Sequence, residues 1–404
     1  MQVQYNIVVT ADLHWGVMEP NKQLLQYQCL LNYLRSNPVD LLVIAGDYFD
    51  HRLSFDSTAA KTAMSYFDEI VEISKDRKFK IRLIKGTQSH EYDQLDQFNI
   101  YVEDTDDTVR IFRECTAEET LPEFSCLYCP DELINSENYF LRYNTILLDG
   151  NHYDAMFFHG TFDAEMGEFA HMVAQKNNIV FEIATFNQLC NVMIGGHWHD
   201  ADTIGNMHYT RSLTSWRYDE DKPKGFIHMK YDTDSDSYEL DRVINPTSDK
   251  YYTVYVETSL YSSREMYSEL ISKVDEMLNH TDGPEIHVRI MIYITDDKEL
   301  NAICIDTLKQ HYGTNHNVKI VIENKVTKAK KAEKVKKTSD LKNKYGFLMQ
   351  SSNIVDNYVK FIKVTKGIDV DKTEIAELIT PLLEECKNGK EKQKQARFGN
   401  ESTE

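Results

Sequence analysis

Apolar runs alternate with amphipathic stretches along the first ~245 residues, a rhythm that predicts strands and helices in turn. Residues 3–9 read as a strand. Leu24, Leu25, Gln28, Leu31 and Leu34 then mark one helical face, which must stop before Pro38 because proline pushes its predecessor out of the helical region. A second, wholly apolar strand follows at 39–44. The next helix opens near Asp56 and Ser57, a plausible N-cap, and carries Ala60, Ala63, Met64, Phe67 and Val71 on one face. Strand-like runs recur at 80–84, 155–158 and 191–194. The alternation predicts an α/β layered domain over residues 1–248.

Beyond Asp249 the rhythm changes to strand, helix, strand, helix, strand. Ile286, Val288, Ile290, Ile292 and Ile294 alternate strictly, as a half-buried strand requires, and Tyr267, Leu270, Ile271, Val274 and Leu278 form the helical face before them. This predicts a small α+β domain at 249–323. Lysines crowd a linker at 324–346. Two short amphipathic helices are expected at 347–390, and a disordered polar tail at 391–404.

Composition narrows the class. The chain has 404 residues, 41% hydrophobic and 11% aromatic, enough for two or three folded domains. No apolar run reaches the ~20 residues of a membrane span, and the N-terminus lacks the basic and small-residue features of a secretory signal. The 7 cysteines are scattered and odd in number, which predicts reduced thiols in a cytoplasmic protein. A net charge of −20 repels a phosphate backbone on average. Nucleic acid would have to be met by local cations or metal ions.

Five strand ends run straight into polar, ligand-capable residues: Asp12-Leu13-His14-Trp15-Gly16, Gly46-Asp47-Tyr48-Phe49-Asp50, Gly86-Thr87-Gln88-Ser89-His90-Glu91, His159-Gly160, and Gly195-Gly196-His197-Trp198-His199. Ligands gather outside the carboxyl ends of strands in open α/β sheets. A lone Asp-x-His or His-x-His is weak, but the ordered set of five is specific. Carboxylates and imidazoles without thiolates suit a two-metal hydrolytic site.

This ordered set resembles the calcineurin-like metallophosphoesterases and, within them, the Mre11/SbcD-type repair nucleases. Tyr209-Thr-Arg-Ser-Leu-Thr-Ser-Trp-Arg, Glu220 and Lys224-Gly225-Phe226 resemble a segment of the nuclease branch. The resemblance implies a two-sheet sandwich flanked by helices, a small capping domain and C-terminal helices. It implies that Asp12, His14 and His199 bind one metal, that His159 and His197 bind the other, and that Asp47 bridges them. His90 would be the catalytic histidine at the leaving oxygen. It further implies two Mn²⁺ ions (Mg²⁺ or Fe²⁺ as alternatives), DNA as substrate, a homodimer, and an SbcC/Rad50-like ATPase held by the C-terminal helices. A phosphatase or phosphodiesterase for small substrates, and a nuclease-decayed structural subunit, are the competing readings. A chain this divergent is compatible with a viral source, acting in host cytoplasm.

The third motif departs from the family. Relatives carry Gly-Asn-His, with the Asn a ligand directly before the histidine, whereas here Ser89 precedes His90. Ser89, Gln88 or a water would complete the second metal, or that metal would bind more weakly. Asp149-Gly150-Asn151-His152 spells the missing motif elsewhere, but it reads as a hairpin turn between runs at 145–148 and 155–158. Asp50 stands where some relatives have histidine, and His51 is its neighbour. His51, Arg52, Arg211 and Arg217 are candidate DNA contacts, as is the Lys-rich arm. Cys126-x-x-Cys129 has no second pair and reads as buried strand thiols. Trp15 and Trp198 either line the cleft or pack beneath the ligand loops.

Overall fold

The computed structural model describes residues 3–103, 107–131, 151–162, 180–181, 183–200, 203–218, 220, 222–260, 264–279, 283–324 and 371–373. The chain divides into two units, 1–292 with 297–321 and 293–296 with 322–404. Most of the second unit lies outside the described residues, and so do the expected linker, nearly all of the C-terminal helices, the tail, and the 145–148 strand.

The strands in chain order are β1 (Gln4–Thr10), β2 (Leu41–Ala45), β3 (Lys80–Ile84), β4 (Val109–Phe112), β5 (Thr116–Leu121), β6 (Phe124–Cys129), β7 (Tyr153–His159), β8 (Thr161–Phe162) and β9 (Val180–Phe181). They continue with β10 (Cys190–Gly196), β11 (Thr203–Ile204), β12 (Met207–Tyr209), β13 (Gly225–Asp232), β14 (Ser237–Ile244), β15 (Lys250–Glu257), β16 (Ile286–Ile294) and β17 (Val318–Asn324). Two six-stranded sheets result, ordered β14-β13-β1-β2-β3-β4 and β11-β12-β10-β7-β6-β5. β1 to β4 are mutually parallel, as are β6, β7, β10 and β12. β13 returns antiparallel to β1 and forms an antiparallel hairpin with β14.

The pattern of apolar residues explains the layering. β2 reads Leu-Leu-Val-Ile-Ala and is buried throughout. With side chains alternating between faces, Leu42 and Ile44 join one core and Leu41, Val43 and Ala45 join another. The first core packs β1–β3 against helices α1 (Pro20–Ser36) and α2 (Thr58–Arg77), through Leu30, Leu34, Phe67 and Ile70. The second lies between the sheets, where Ile7, Val9 and Val43 meet Ala155, Phe157, Val192 and Ile194. A third covers the outer face of the second sheet with Met156, Phe158 and Met193. Strands buried on both faces must be apolar at every position, which is why they read as continuous runs. α2 starts where expected: Ser57 is its N-cap, accepting from the Ala60 N–H at 3.1 Å.

Arg82 of β3 is fully buried and forks across to Glu118 of β5, at 2.7 and 3.1 Å, joining the sheets by a bidentate ion pair. The fold is thus the mixed α/β two-sheet sandwich that the sequence predicts. Short helices α3 (Gln88–Glu91), α4 (Asn99–Glu103) and α5 (Ile183–Phe186) decorate its loops. Between the strands of the three-stranded sheet β15-β16-β17 come α6 (Arg264–Leu278) and α7 (Lys298–Tyr312). Val288, Ile290 and Ile292 of β16 are buried as the alternation requires, and Asp297 caps α7 by accepting from Glu299 and Leu300 N–H.

Candidate metal centre

The carboxyl ends of β1, β2, β3, β7 and β10 deliver their loops to one place. Backbone bonds lace the first two loops together: Asp12 N–H donates to Gly46 O at 3.0 Å, His14 to Asp47 O at 2.9 Å, and Trp15 to Tyr48 O at 2.8 Å. Asp12, His14, Asp47 and His197 all have positive φ, 52°, 47°, 49° and 100°. Such conformations cost of order 1–3 kcal/mol for non-glycine residues and persist where the surroundings over-determine them. Four at candidate ligands mark a site in which folding energy is spent on aiming side chains. Close approach also dictates glycine. A Cβ on Gly46 would sit 2.2 Å from His159 Nδ1, and one on Gly86 would sit 2.1 Å from Asp47 N.

Two donor groups lie side by side, and a third, His14 with Asp50 and His90, overlaps the first through His14. In the first, Asp12, His14 and His199 place their ligand atoms within 4.8 Å of one another. His14 Nε2 lies 3.2 Å from His199 Nε2 and 3.9 Å from Asp12 Oδ1, which is 3.7 Å from His199 Nε2. In the second, Asp47, His159 and His197 meet the same limit. Asp47 Oδ2 lies 3.2 Å from His159 Nε2 and 3.7 Å from His14 Nε2, so this one oxygen faces both groups. Donors bonded at ~2.1 Å to a shared cation stand roughly 3–3.4 Å apart, and the tighter separations here match.

The nitrogens facing away from each group are also held. His14 Nδ1 lies 3.2 Å from Asp50 Oδ1, His199 Nδ1 lies 2.7 Å from Glu220 Oε1, and His159 Nδ1 donates to Ala45 O at 2.8 Å. That fixes the His159 and His199 rings so that Nε2 faces the cluster, while the Asp50 carboxylate flanks the outward side of His14. Asp50 is therefore a partner of His14. Trp216 packs edge-on against the rings of His14 and His199, with centroids 4.9 and 4.7 Å away. Asp12 accepts from the His197 backbone N–H at 3.0 Å, tying β1's loop to β10's.

The electrostatics of the buried cluster call for positive charge. Burial disfavours the Asp47 carboxylate, but His159 and His14 overcome this and hold its pKa far below the usual carboxylate range. Burial likewise opposes the His159 imidazolium, yet Asp47 raises its pKa to about 10. His197 goes the other way, to about 4, through burial and the neighbouring charge of His159. Asp50 is drawn down to about 2, its burial outweighed by His14 and His51. The Asp47 carboxylate and the imidazoles around it thus face one another at distances a shared cation would span. The donor types, separations and charge demand all fit two divalent cations.

The third motif is rearranged. Ser89 is exposed, whereas the Thr87 hydroxyl lies 3.3 Å from Asp47 Oδ2 and 3.4 Å from both His159 Nε2 and His197 Nδ1. Thr87 follows Gly86 directly, the place where the family's Asn stands, and two extra residues separate it from the histidine. One helical turn absorbs them: His90 N–H donates to Thr87 O at 2.9 Å, returning His90 to the cluster. The His90 ring stands edge-on to His14 with centroids 4.8 Å apart, and its Nδ1 donates to Asp50 O, leaving Nε2 for an incoming group. Glu91, fully buried, accepts from Tyr48 and Gly86 N–H at 2.6 Å each and so clamps the second loop to the third. Burial, with Asp47 nearby, pushes its carboxyl up to about 7. Sequence reasoning missed both Thr87 and Glu91. The signal available for Thr87 was its position after the glycine, not before the histidine.

Other candidates separate from the cluster. His152 is exposed and directly precedes β7, whose far end delivers His159; the strand puts ~20 Å between them. Asp149 and Gly150 lie outside the described residues. Cys126 and Cys129, three apart on β6, face opposite cores, between the sheets and on the outer face, so they cannot share a metal. Trp15 is fully buried against Tyr27 and Tyr66, and Trp198 Nε1 donates to Thr161 Oγ1 at 3.2 Å; both pack beneath the loops. His51, Arg52 and Arg217 are exposed, while Arg211 is part-buried and donates to Pro223 O at 3.0 Å. Asp249, Glu285 and His287 also cluster, but Lys22 Nζ already lies 2.6 Å from both carboxylates.

Two adjacent carboxylate–imidazole groups with one aspartate oxygen facing both form a donor set suited to two divalent cations. When bound, two such cations supply a nucleophile at neutral pH and neutralise phosphate charge. Residues 5–201 match the model of the calcineurin-like phosphoesterase family. Two solved structures align with 59% of the chain. One is a crystal structure covered over 99% of its own length, at 11% identity and a TM-score of 0.39. The other is a dimetal phosphatase from Danio rerio, covered over 97%, at 12% identity and a TM-score of 0.29. No curated protein matches the chain. No helix among the described residues is long and apolar enough to cross a membrane.

Proposed function

We propose that this metallophosphoesterase is a DNA nuclease of the Mre11/SbcD type, hydrolysing phosphodiester bonds with two divalent cations, Mn²⁺ foremost, in repair, recombination or replication. The observation that carries this reading is where the 209–226 segment lies. This stretch, which resembles the nuclease branch, holds the first donor group: Glu220 orients His199, Lys224 Nζ donates to His199 O at 2.8 Å, and Trp216 packs on both imidazoles. The stretch whose resemblance points to the nuclease branch therefore also braces the candidate metal ligands.

The same resemblance supports a homodimer and an SbcC/Rad50-like ATPase held by residues 347–390, and the scattered cysteines support a cytoplasmic setting. His51, Arg52 and Arg217, all exposed, and part-buried Arg211 are the side chains this reading assigns to phosphates that a chain of net charge −20 otherwise repels. His90 would deliver a proton to the leaving oxygen through Nε2. The test is digestion of labelled double- and single-stranded DNA with Mn²⁺, Mg²⁺ or chelator, with and without a coiled-coil ATPase and ATP. Mn²⁺-dependent cleavage, abolished by chelator and stimulated by the ATPase, is expected. Hydrolysis of bis(p-nitrophenyl) phosphate without DNA cleavage would instead favour the small-substrate phosphodiesterase.

A further inference from the structure

The two donor groups are unequal, and the inequality sits at Thr87. A threonine at a helix N-cap ordinarily accepts a bond from the first turn with its hydroxyl. Thr87 is the N-cap of α3 and makes no such side-chain bond. Its hydroxyl turns instead toward Asp47 Oδ2, His159 Nε2 and His197 Nδ1, 3.3 to 3.4 Å from each. The backbone fixes it there. Thr87 N–H donates to Asp47 Oδ1 at 2.6 Å, and Gly86 lies so close to the Asp47 backbone that no side chain fits.

We propose that Thr87 is the fourth protein donor of the Asp47–His159–His197 pocket, and that the hydroxyl makes this pocket the weaker, later-filling of two cation sites. The proposal rests on the metallophosphoesterase reading and is independent of whether the substrate is DNA. Hydroxyl oxygens do serve hard cations, as the Ser or Thr of phosphate-binding loops serves Mg²⁺. A neutral hydroxyl is nonetheless a poorer donor than an amide carbonyl oxygen, and its short side chain tolerates less adjustment. The first pocket lacks this handicap, since carboxylates on Asp50 and Glu220 orient its imidazoles. Mn²⁺ should therefore bind in two separable steps, and hydrolysis should track the second.

Calorimetric titration of the metal-free full chain with Mn²⁺ tests this without reference to turnover. The wild type should bind two ions with distinct affinities. Thr87→Ala should weaken the weaker step by about ten-fold or more and leave the tighter step within about two-fold. Thr87→Ser should keep both, and Thr87→Asn, restoring an amide oxygen, should strengthen the weaker step by about ten-fold. Such a gain cannot come from damage to the fold. The proposal is overturned if Thr87→Ala leaves both steps unchanged or weakens both alike, or if Thr87→Asn fails to tighten the weaker step. A wild-type chain that binds no Mn²⁺ would overturn the metallophosphoesterase reading itself, whereas two ions indifferent to Thr87 would overturn the proposal alone.

Discussion

The two halves of the candidate metal centre are built differently. Asp12, His14 and His199 depend on side chains from elsewhere to hold their rings, chiefly Asp50 at 3.2 Å and Glu220 at 2.7 Å. Asp47, His159 and His197 depend on the sandwich itself: His159 is fully buried at the end of β7, and its outward nitrogen is fixed by the Ala45 carbonyl of β2 in the facing sheet. The first half can thus be retuned by changing a loop, because Glu220 and Trp216 lie beyond the segment that matches the family. The second half can be altered only where a loop side chain enters it, and there the Thr87 hydroxyl lies 3.3–3.4 Å from Asp47, His159 and His197.

Substitutions should separate the halves. Asp47→Ala removes the oxygen facing both groups, so phosphodiester hydrolysis should fall by about three orders of magnitude or more, while circular dichroism stays native. Near-normal Mn²⁺-dependent activity in that variant would remove the two-cation assignment. His90→Ala should spare both halves yet cost roughly 10²–10⁴-fold in turnover, with Mn²⁺ content unchanged by elemental analysis; loss of an ion would make His90 a ligand instead. Glu220→Ala should weaken only the tighter Mn²⁺ step, by ~10–100-fold, and Glu220→Gln should recover part of it. Equal weakening of both steps would mean the halves are not held independently. His152→Ala, at the wrong end of β7, should change rate and metal content by less than about two-fold, since exposed positions away from a site are nearly neutral.

Much of this was legible in the sequence because burial on both faces and ligands at strand ends leave local traces. Leu41 to Ala45 is apolar at every position, and Asp47 follows at the strand's carboxyl end, where a ligand is expected. The order Asp-x-His, Asp, His, His-x-His survives without a structure because each motif is set by its own strand. The third motif was harder. Reading it backward from His90 points to Ser89, which is exposed, because only the fold shows a helical turn carrying His90 back beneath Thr87. Glu91 was equally hidden: its role is to accept two backbone N–H groups from different loops, a contact across 43 residues in one case. Cys126 and Cys129 show the converse, a spacing suggestive in sequence that strand geometry separates onto opposite faces.

The central claim is that two cations are held side by side, one in each half, with Asp47 between them. Anomalous scattering from Mn²⁺-soaked crystals of the full chain measures this directly. The account predicts two peaks ~3.5–4 Å apart, one bounded by Asp12, His14 and His199, the other by Asp47, His159, His197 and Thr87. A single peak, or a second peak away from Thr87, would contradict it.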